Sequence, residues 1–347
     1  MIMKKIIATF ACAAVLLQLC ACAPLNENSA SETFTALNTV MQITVFRTSE
    51  GTPDEVLSLM KERIDELDKL FDANSPDSDV GRINNFKGNE NDRISVDEDT
   101  VKILQRSISA YYATDYIFNI NLMPVISLWG FDNGNYGVPK PGDITEALEK
   151  VENSRIFIYE TENTIGKTAS TQISLGGIAK GYLGDELLEI AEEYGATALI
   201  SLGGNIVLCS EKSENKKWSI GIKNPRNTED IALSFECDGN KSVVTSGGYE
   251  RYFEYGGKEY HHIIDPATGC PAESDILSVT VAGKNGTMCD AYSTALFVMG
   301  KEKAVTFAKE HNDFDFVFIT ENNEVYITDG ISSPKLDESY TIKLIER

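Results

Sequence analysis

Apolar and polar positions along the chain follow two different periods. Residues 39–46 alternate as a strand does, with Val40, Ile43 and Val45 set among polar neighbours. The run Thr-Pro-Asp-Glu at residues 52–55 then predicts the start of a helix, because it is a capping box with proline in the first turn. The apolar stripe of this helix is Val56, Leu59, Met60, Ile64, Leu67 and Phe71. We expect the stripe to face the core.

The same analysis assigns the rest of the chain. Helices are predicted over residues 97–112, 143–151 and from 290 onward, and a polar loop, long enough to act as a lid, over residues 71–85. Strands are predicted over residues 197–208, 218–225 and 277–282, and hairpins over residues 156–173, 242–265 and 314–328. Because many strands pair as hairpins, the fold class is α+β, with largely antiparallel sheets and packed helices.

Residues 173–185, which read ISLGGIAKGYLGD, join a predicted strand (171–175) to a predicted helix that ends at Gly195. The Gly176-Gly177 turn would aim backbone amides and the positive end of the helix at one point, and glycine lets an anion approach the main chain. The spacing matches neither a P-loop nor a dinucleotide fingerprint. The alternative is a glycine pair that lets a strand pack closely on a helix. A second pair, Gly203-Gly204, lies between the two strands within residues 197–208.

The charge composition restricts the kinds of molecule that the protein could bind. The chain has 347 residues, enough for one large domain or two lobes, and its 31 basic against 53 acidic residues give a net charge of −22. An excess of acid of this size argues against binding nucleic acid through a basic surface. A bound phosphate would therefore have to be met locally, by backbone amides, a metal ion or a few cations.

The N-terminus predicts export. Lys4-Lys5 precedes an apolar run over residues 6–17, and Leu19-Cys20-Ala21-Cys22 resembles the bacterial lipoprotein box. We therefore expect a signal peptide over residues 1–21, lipid attached to Cys22, a polar tether over residues 22–33 and a catalytic domain over residues 34–347. The protein would be anchored on the extracytoplasmic face of the bacterial cell membrane. An ordinary signal peptide or an uncleaved anchor is the alternative.

Four cysteines lie singly in the predicted domain, so a Cys-x-x-Cys zinc or redox motif is not expected. Export permits disulfides, and the sequence leaves their pairing open. These residues are Cys209, Cys237, Cys270 and Cys289.

A few side chains have the chemistry of a site. Asp290 and Thr294 stand four apart at a predicted helix start and share a face, and their oxygens are of the kind that Mg²⁺ accepts. A dipole-stabilising aspartate beside a buried threonine is the structural alternative. Two of the three histidines are adjacent, and His262 is favoured over His261 because Asp265 follows closely. Trp129 and Phe131 could form a flat slot for a ring, or an aromatic core corner.

Ordered motifs from residue 36 to 328 resemble the ApbE family, whose members are FAD:protein FMN transferases. The motifs are Pro124 with LWGF at 128–131, LGGIAKGY at 175–182, SLGGN at 201–205, TSGGY at 245–249, HIIDP at 262–266 with Thr268-Gly269, and DAYST at 290–294. The resemblance implies a T-fold-like single catalytic unit. It also implies that FMN is transferred from FAD to a threonine or serine hydroxyl of a flavoprotein subunit in a membrane redox complex, with release of AMP.

Site residues follow from the resemblance by position. Asp290, Thr294, Ser293 and the Gly177 carbonyl match Mg²⁺ ligands, with Mn²⁺ as a possible substitute. His262 is the candidate acid/base. The positions that would contact FAD are Trp129, Gly130, Phe131, Gly176, Lys180 and Ile263.

The chain departs from the family pattern at three further FAD-contacting positions. Leu37 stands in Leu-Asn-Thr where many members have Met-Gly-Thr, Ser174 stands where they have aspartate, and Asn74 where a tyrosine is frequent. Two other functions use the same residues: an FAD pyrophosphatase that transfers FMN to water, and a lipoprotein that binds FAD without chemistry. The sequence does not identify the acceptor protein or the oligomeric state.

Overall fold

The computed structural model describes residues 29–89, 91–213 and 216–347. The predicted signal peptide and the lipidated Cys22 lie outside these residues. In the described part of the chain, no helix combines the length and apolar character needed to cross a membrane.

The helices alternate with strands along the chain. The α-helices are α1 Pro53–Phe71, α2 Asp79–Asn85, α3 Glu98–Ala113, α4 Met123–Trp129, α5 Pro141–Glu152, α6 Ala179–Glu193, α7 Gly286–Met299 and α8 Lys301–Glu310. The strands are β1 Ala30–Ala36, β2 Thr39–Arg47, β3 Ile94–Ser95, β4 Ile156–Tyr159, β5 Thr164–Lys167, β6 Thr197–Leu202, β7 Asn205–Cys209, β8 Trp218–Asn224, β9 Asn227–Cys237, β10 Lys241–Gly247, β11 Tyr252–Tyr255, β12 Lys258–His261, β13 Ile276–Gly283, β14 Phe314–Thr320, β15 Glu324–Thr328, β16 Ser332–Leu336 and β17 Thr341–Ile345.

A nine-stranded sheet organises the fold, in the order β1-β2-β6-β7-β10-β13-β14-β15-β17. Its neighbouring strands are antiparallel except for the β15–β17 pair, which is parallel. Smaller sheets, β16-β9-β8, β3-β5-β4 and β11-β12, surround it. The predicted α+β class with largely antiparallel sheets is confirmed.

The two faces of the large sheet bury separate cores. Successive residues of a strand point to opposite faces, so in β14 the side chains of Phe316 and Phe318 join the core under α1, α6 and α7. Val317 and Ile319 join a second core beneath the β8 and β9 strands. The sheet therefore separates a helical layer from a second layer of strands.

The start of α1 confirms the predicted capping box. The Thr52 hydroxyl accepts a hydrogen bond from the Glu55 amide at 3.3 Å, and the Glu55 carboxylate accepts one from the Thr52 amide at 2.8 Å. These bonds satisfy two backbone donors that the first turn leaves free. The predicted apolar stripe is buried, apart from Leu59, which is half-buried.

Two predictions of local structure are wrong. The polar loop expected over residues 71–85 contains α2, which begins because the Ser78 hydroxyl accepts a hydrogen bond from the Gly81 amide at 2.8 Å. Residues 171–175 are not a strand. Instead, the Asn84 side chain bonds both backbone groups of Ile173, at 2.7 and 2.9 Å, and so takes the place of a neighbouring strand.

Several boundaries also differ from the prediction. Strand β1 begins at Ala30, so the tether expected over residues 22–33 is shorter at its C-terminal end. Helix α7 begins four residues before Asp290, because the Asn285 side chain caps it by accepting from the Met288 amide at 3.0 Å. Residues 241–247 belong to the large sheet rather than to the β11–β12 hairpin. After β15, the expected last strand, β16 and β17 follow.

Candidate active site

The turn before α6 is held by hydrogen bonds from the Ile178 and Ala179 amides to the Leu175 carbonyl, at 3.0 and 2.8 Å. It leaves Gly176 exposed and Gly177 half-buried. A Cβ atom on Gly177 would lie 3.2 Å from the Phe118 ring and 3.6 Å from the Thr294 hydroxyl. The glycine turn before α6 and the third turn of α7 are therefore neighbours, as the family resemblance implies.

The two helices approach closely because glycine lies at their contact. A Cβ atom on Gly181 would overlap the Gly286 carbonyl and lie 2.7 Å from the Asp290 Cβ. The Gly181 amide donates to the Asp290 carboxylate at 2.8 Å, and Asp290 is 2% exposed. In a regular helix this amide would bond the Gly177 carbonyl, so the Gly177 oxygen is available as a ligand.

Hydroxyl groups surround this carboxylate. The Ser246 hydroxyl, on β10, lies 2.8 Å from that of Ser293 and 3.5 Å from that of Thr294. Ser293 also donates to the Asp290 carbonyl at 2.9 Å and is fully buried, whereas Thr294 is only half-buried. Thr294 is therefore the better placed of the two hydroxyls to bind a ligand. Ser246 was missed as a site residue, although it lies in the TSGGY motif.

Lys180 supplies the positive charge. Its ammonium lies 3.4 Å from the Gly176 carbonyl and 3.9 Å from the Asp290 carboxylate, and its side chain is 22% exposed. An ammonium held beside a helix start is well placed to meet a phosphate.

The donor set fits a hard divalent cation. The described residues contain no cluster of three His, Cys, Asp or Glu side chains arranged to hold a metal. Asp290, Thr294 and the Gly177 carbonyl instead offer one carboxylate and two neutral oxygens. Mg²⁺ accepts such sparse oxygen ligation, because it keeps several waters and binds substrate phosphates.

His262 lies near enough to Lys180 to be influenced by its charge. Its Nδ1 lies 3.1 Å from the Arg251 carbonyl, so Nε2 is the nitrogen left for chemistry. Desolvation, together with smaller effects of nearby positive charges such as Lys180, lowers the pKa of His262 to about 3. The imidazole is therefore neutral near pH 7 and can accept a proton. His261 points into the core instead, with its ring edge-on to Phe297 at 5.4 Å.

Glu250 is a second group that sequence reasoning missed. Its carboxylate would lie 3.3 Å from a Cβ atom on Gly204, so the second glycine pair is next to Glu250. Desolvation raises the pKa of Glu250, the positive charge of Lys180 opposes this shift, and the negative charge of Asp290 adds to it. The only sequence signal was its place after the TSGGY motif.

Comparisons with known proteins agree with this geometry. The profile of the ApbE family matches residues 37–318. The chain belongs to the ApbE family. It is 31% identical over 298 residues to an FAD:protein FMN transferase of Klebsiella pneumoniae, covering 83% of this chain and 90% of that protein. It is also 31% identical over 293 residues to one of Treponema pallidum, covering 80% and 79%.

A solved structure extends the likeness to the whole fold. The ApbE protein of Thermotoga maritima superposes with a TM-score of 0.77 at 30% identity, covering 90% of this chain and 97% of that one. The resemblance stated from the sequence motifs is therefore confirmed.

In the present chain, the aromatic segment at residues 128–131 does not form an open slot. Trp129 and Phe131 are 2% and 3% exposed and pack with Phe253, and the Trp129 indole donates to the Gly269 carbonyl at 2.8 Å. The slot interpretation is wrong, and the alternative, an aromatic core corner, describes these rings. Gly130 has a φ of +76° and no room for a side chain. Contact of this segment with FAD stays a prediction. Because the rings are buried, we expect the backbone of the segment to make that contact.

The remaining predicted FAD contacts have the following local surroundings. The Asn74 side chain donates to the Asp132 carbonyl at 3.3 Å, which joins the loop after α1 to the aromatic segment. Leu37 lies in the β1–β2 turn with a φ of +46°, and its amide donates to Asp68 at 2.9 Å. The Ser174 hydroxyl accepts from the exposed Gly176 amide at 3.4 Å. Ile263 is buried, at 4% exposure.

Proposed function

We propose that this chain is a Mg²⁺-dependent FAD:protein FMN transferase that acts on a threonine or serine hydroxyl of a membrane redox protein. The activity is the one named for its ApbE relatives. The observation that carries the proposal is the convergence of Gly177, Lys180, Asp290 and Thr294 where α6 and α7 begin. This arrangement offers an anion site and hard oxygen ligands next to one another.

The reaction breaks the pyrophosphate bond of FAD. The acceptor hydroxyl oxygen forms a bond to the phosphorus of the FMN half, the bond to the AMP phosphate breaks, and AMP leaves. Lys180 and the amides at the start of α6 would bind the phosphates and stabilise the charge that develops there. When bound, Mg²⁺ would neutralise phosphate charge, and Asp290, Thr294 and the Gly177 carbonyl would hold it.

The acceptor hydroxyl must lose a proton as it attacks. His262 is neutral near pH 7, because its pKa is lowered to about 3, and its Nε2 is free to take this proton directly or through a water. The Arg251 carbonyl fixes the orientation of the ring through Nδ1. A neutral histidine oriented in this way can act as a general base, and its lowered pKa makes it a weaker base than an ordinary histidine.

We also propose that the protein is lipid-anchored through Cys22 on the extracytoplasmic face of the cell membrane. Support comes from the lipoprotein box in the sequence and from the position of β1, which begins eight residues after Cys22 and leaves a short tether. Mass spectrometry of the N-terminal peptide from membranes tests this. A lipid-modified Cys22 is expected, and an unmodified residue would reject the anchor.

Incubation with FAD, Mg²⁺ and a candidate acceptor tests the reaction. Mass spectrometry should find the mass of FMN covalently added to one threonine or serine of the acceptor, together with free AMP. Release of FMN and AMP without a labelled acceptor would favour the pyrophosphatase instead. Intact FAD after hours with Mg²⁺ and acceptor present would favour a binding lipoprotein.

A further inference from the structure

Asp185, on the second turn of α6, contacts the start of α7. Its carboxylate accepts hydrogen bonds from the Gly286 amide at 2.6 Å, the Thr287 amide at 2.9 Å and the Thr287 hydroxyl at 2.6 Å. These donors belong to the first two residues of α7. One carboxylate of α6 therefore caps the N-terminus of α7.

The contact is reciprocated one turn away. Asp290 of α7 accepts the Gly181 amide of α6 at 2.8 Å. Each helix thus uses an aspartate to bind amides at the N-terminal end of the other, where the helix dipole favours negative charge. Both aspartates therefore join the same pair of helices, one from each helix.

Close packing leaves α7 little freedom to move along α6. A Cβ atom on Gly286 would lie 2.7 Å from the Asp185 carboxylate and 2.5 Å from the Ser242 hydroxyl. The residues that would bind metal and phosphate are divided between these helices, Gly177 and Lys180 by the start of α6 and Asp290 and Thr294 on α7. Any displacement of one helix along the other would change the distances among these four residues.

We propose that Asp185 is a positioning residue that fixes α7 against α6 and so sets the spacing of the metal and phosphate ligands. The inference rests on the proposed function. Asp185 itself contacts neither the proposed metal ligands nor the proposed phosphate-binding lysine. It acts through Gly286 and Thr287. Residues that orient ligands in this way typically change metal affinity or activity by about 10- to 100-fold when they are replaced.

The test uses Asp185→Asn, which keeps the side-chain volume but removes the charge and one of the two accepting oxygens. Mn²⁺ replaces Mg²⁺ as the probe, and free Mn²⁺ is measured by EPR in the presence of FAD, with folding checked by circular dichroism. The Mn²⁺ Kd should rise about 10- to 100-fold. Excess Mn²⁺ should restore part of the transfer rate, which a merely unstable variant would not show.

Asp275→Asn is the matched control. The Asp275 carboxylate accepts the amide of Lys301, the first residue of α8, at 2.8 Å. It therefore caps a helix start in the same manner, without contacting α6. This variant should lose stability and keep the Mn²⁺ Kd of the wild type.

Thr287 gives a second test should Asp185→Asn not fold. Thr287→Val removes the hydroxyl donor and keeps the shape, and we expect a several-fold rise in the Mn²⁺ Kd, smaller than that of Asp185→Asn. Thr287→Ser keeps the donor and should match the wild type. Unchanged Mn²⁺ affinity in a folded Asp185→Asn, or in Thr287→Val, would overturn the inference alone. A wild-type protein that binds no Mn²⁺ would overturn the proposed metal dependence and the inference with it.

Discussion

The two faces of the nine-stranded sheet are covered in different ways. On one face, helices α6 and α7 bring charged and hydroxyl groups into buried positions, among them Asp290 at 2% exposure and Ser293 at 0%. On the other, β8 and β9 cover a core whose buried members are apolar, such as Trp218 and Phe235. The helical face holds the candidate site in addition to the larger apolar core, and the strand face holds an apolar core.

The difference follows from the cost of burying polar groups. A carboxylate can be buried only where donors meet it, and helix N-termini supply such donors as free amides. Antiparallel strands use their amides in the ladder and leave few for side chains. Chemistry that needs buried charge is therefore confined to the face where two helices begin. The following predictions test this division.

Asp290→Ala should have the largest effect. It removes the carboxylate of the proposed metal site, and the rate of FMN transfer should fall about 1000-fold or more. The free Gly181 amide should cost about 1–3 kcal/mol of stability, so the protein should still fold. Transfer is measured by covalent flavin fluorescence of the acceptor, and stability by thermal unfolding. A variant with wild-type activity would break the assignment of the site to this face.

His262→Gln should lower the transfer rate about 100-fold, because it removes a general base. The pKa of His262 is about 3, so loss of its neutral form should not reduce the wild-type rate between pH 8 and 5. A loss of rate with a midpoint near 6.5 that is absent from the variant would contradict the lowered pKa.

The same shift of His262 affects stability with a defined sign. The unfolded histidine takes up a proton near pH 6.5, while the folded one does so only near pH 3. Stability is therefore lost as the pH falls below about 6.5 toward 3. His262→Gln should lose less stability over this range in urea unfolding. An equal loss in both proteins would show that the folded histidine is not shielded.

Phe235→Ala tests the other face. It opens a cavity in the strand-face core, where Phe235 is 3% exposed, and should lower the free energy of unfolding by about 3–5 kcal/mol. The transfer rate of the folded variant, measured well below its Tm, should stay within about twofold of the wild type, because the site lies across the sheet. A large loss of rate would show that the faces are coupled.

Adding a reductant should have no effect. Cys209, Cys237, Cys270 and Cys289 are free, which settles for these residues the pairing that the sequence left open. Removing a native disulfide from a small secreted domain typically costs about 2–5 kcal/mol. An equal Tm with and without dithiothreitol is therefore expected. A lower Tm in reductant would reveal a disulfide.

Sequence reasoning predicted best where local chemistry decides the structure. The capping box at Thr52 and the strand over residues 39–46 depend on near neighbours, and both are confirmed, although Val40 of that strand is 51% exposed. The convergence of Gly177 and Thr294 was predicted through the family resemblance, since 117 positions separate them in the sequence. Their individual patterns would not have joined them.

The failures arise from distant partners. Residues 171–175 have the composition of a strand, but the Asn84 amide, 89 positions from Ile173, satisfies the backbone instead. Trp129 was equally suited to a slot or a core, and only burial decided between them. Glu250 is unremarkable in sequence, because its altered pKa depends on desolvation and on Lys180 and Asp290, which are distant in the chain.

A crystal structure of the protein soaked with Mn²⁺ and FAD tests the central claim most directly, through the anomalous scattering of manganese. We expect one strong peak within bonding distance of the Asp290 carboxylate and next to the pyrophosphate of FAD, between the starts of α6 and α7. A peak elsewhere, with the pyrophosphate away from Lys180 and Asp290, would contradict the proposed site.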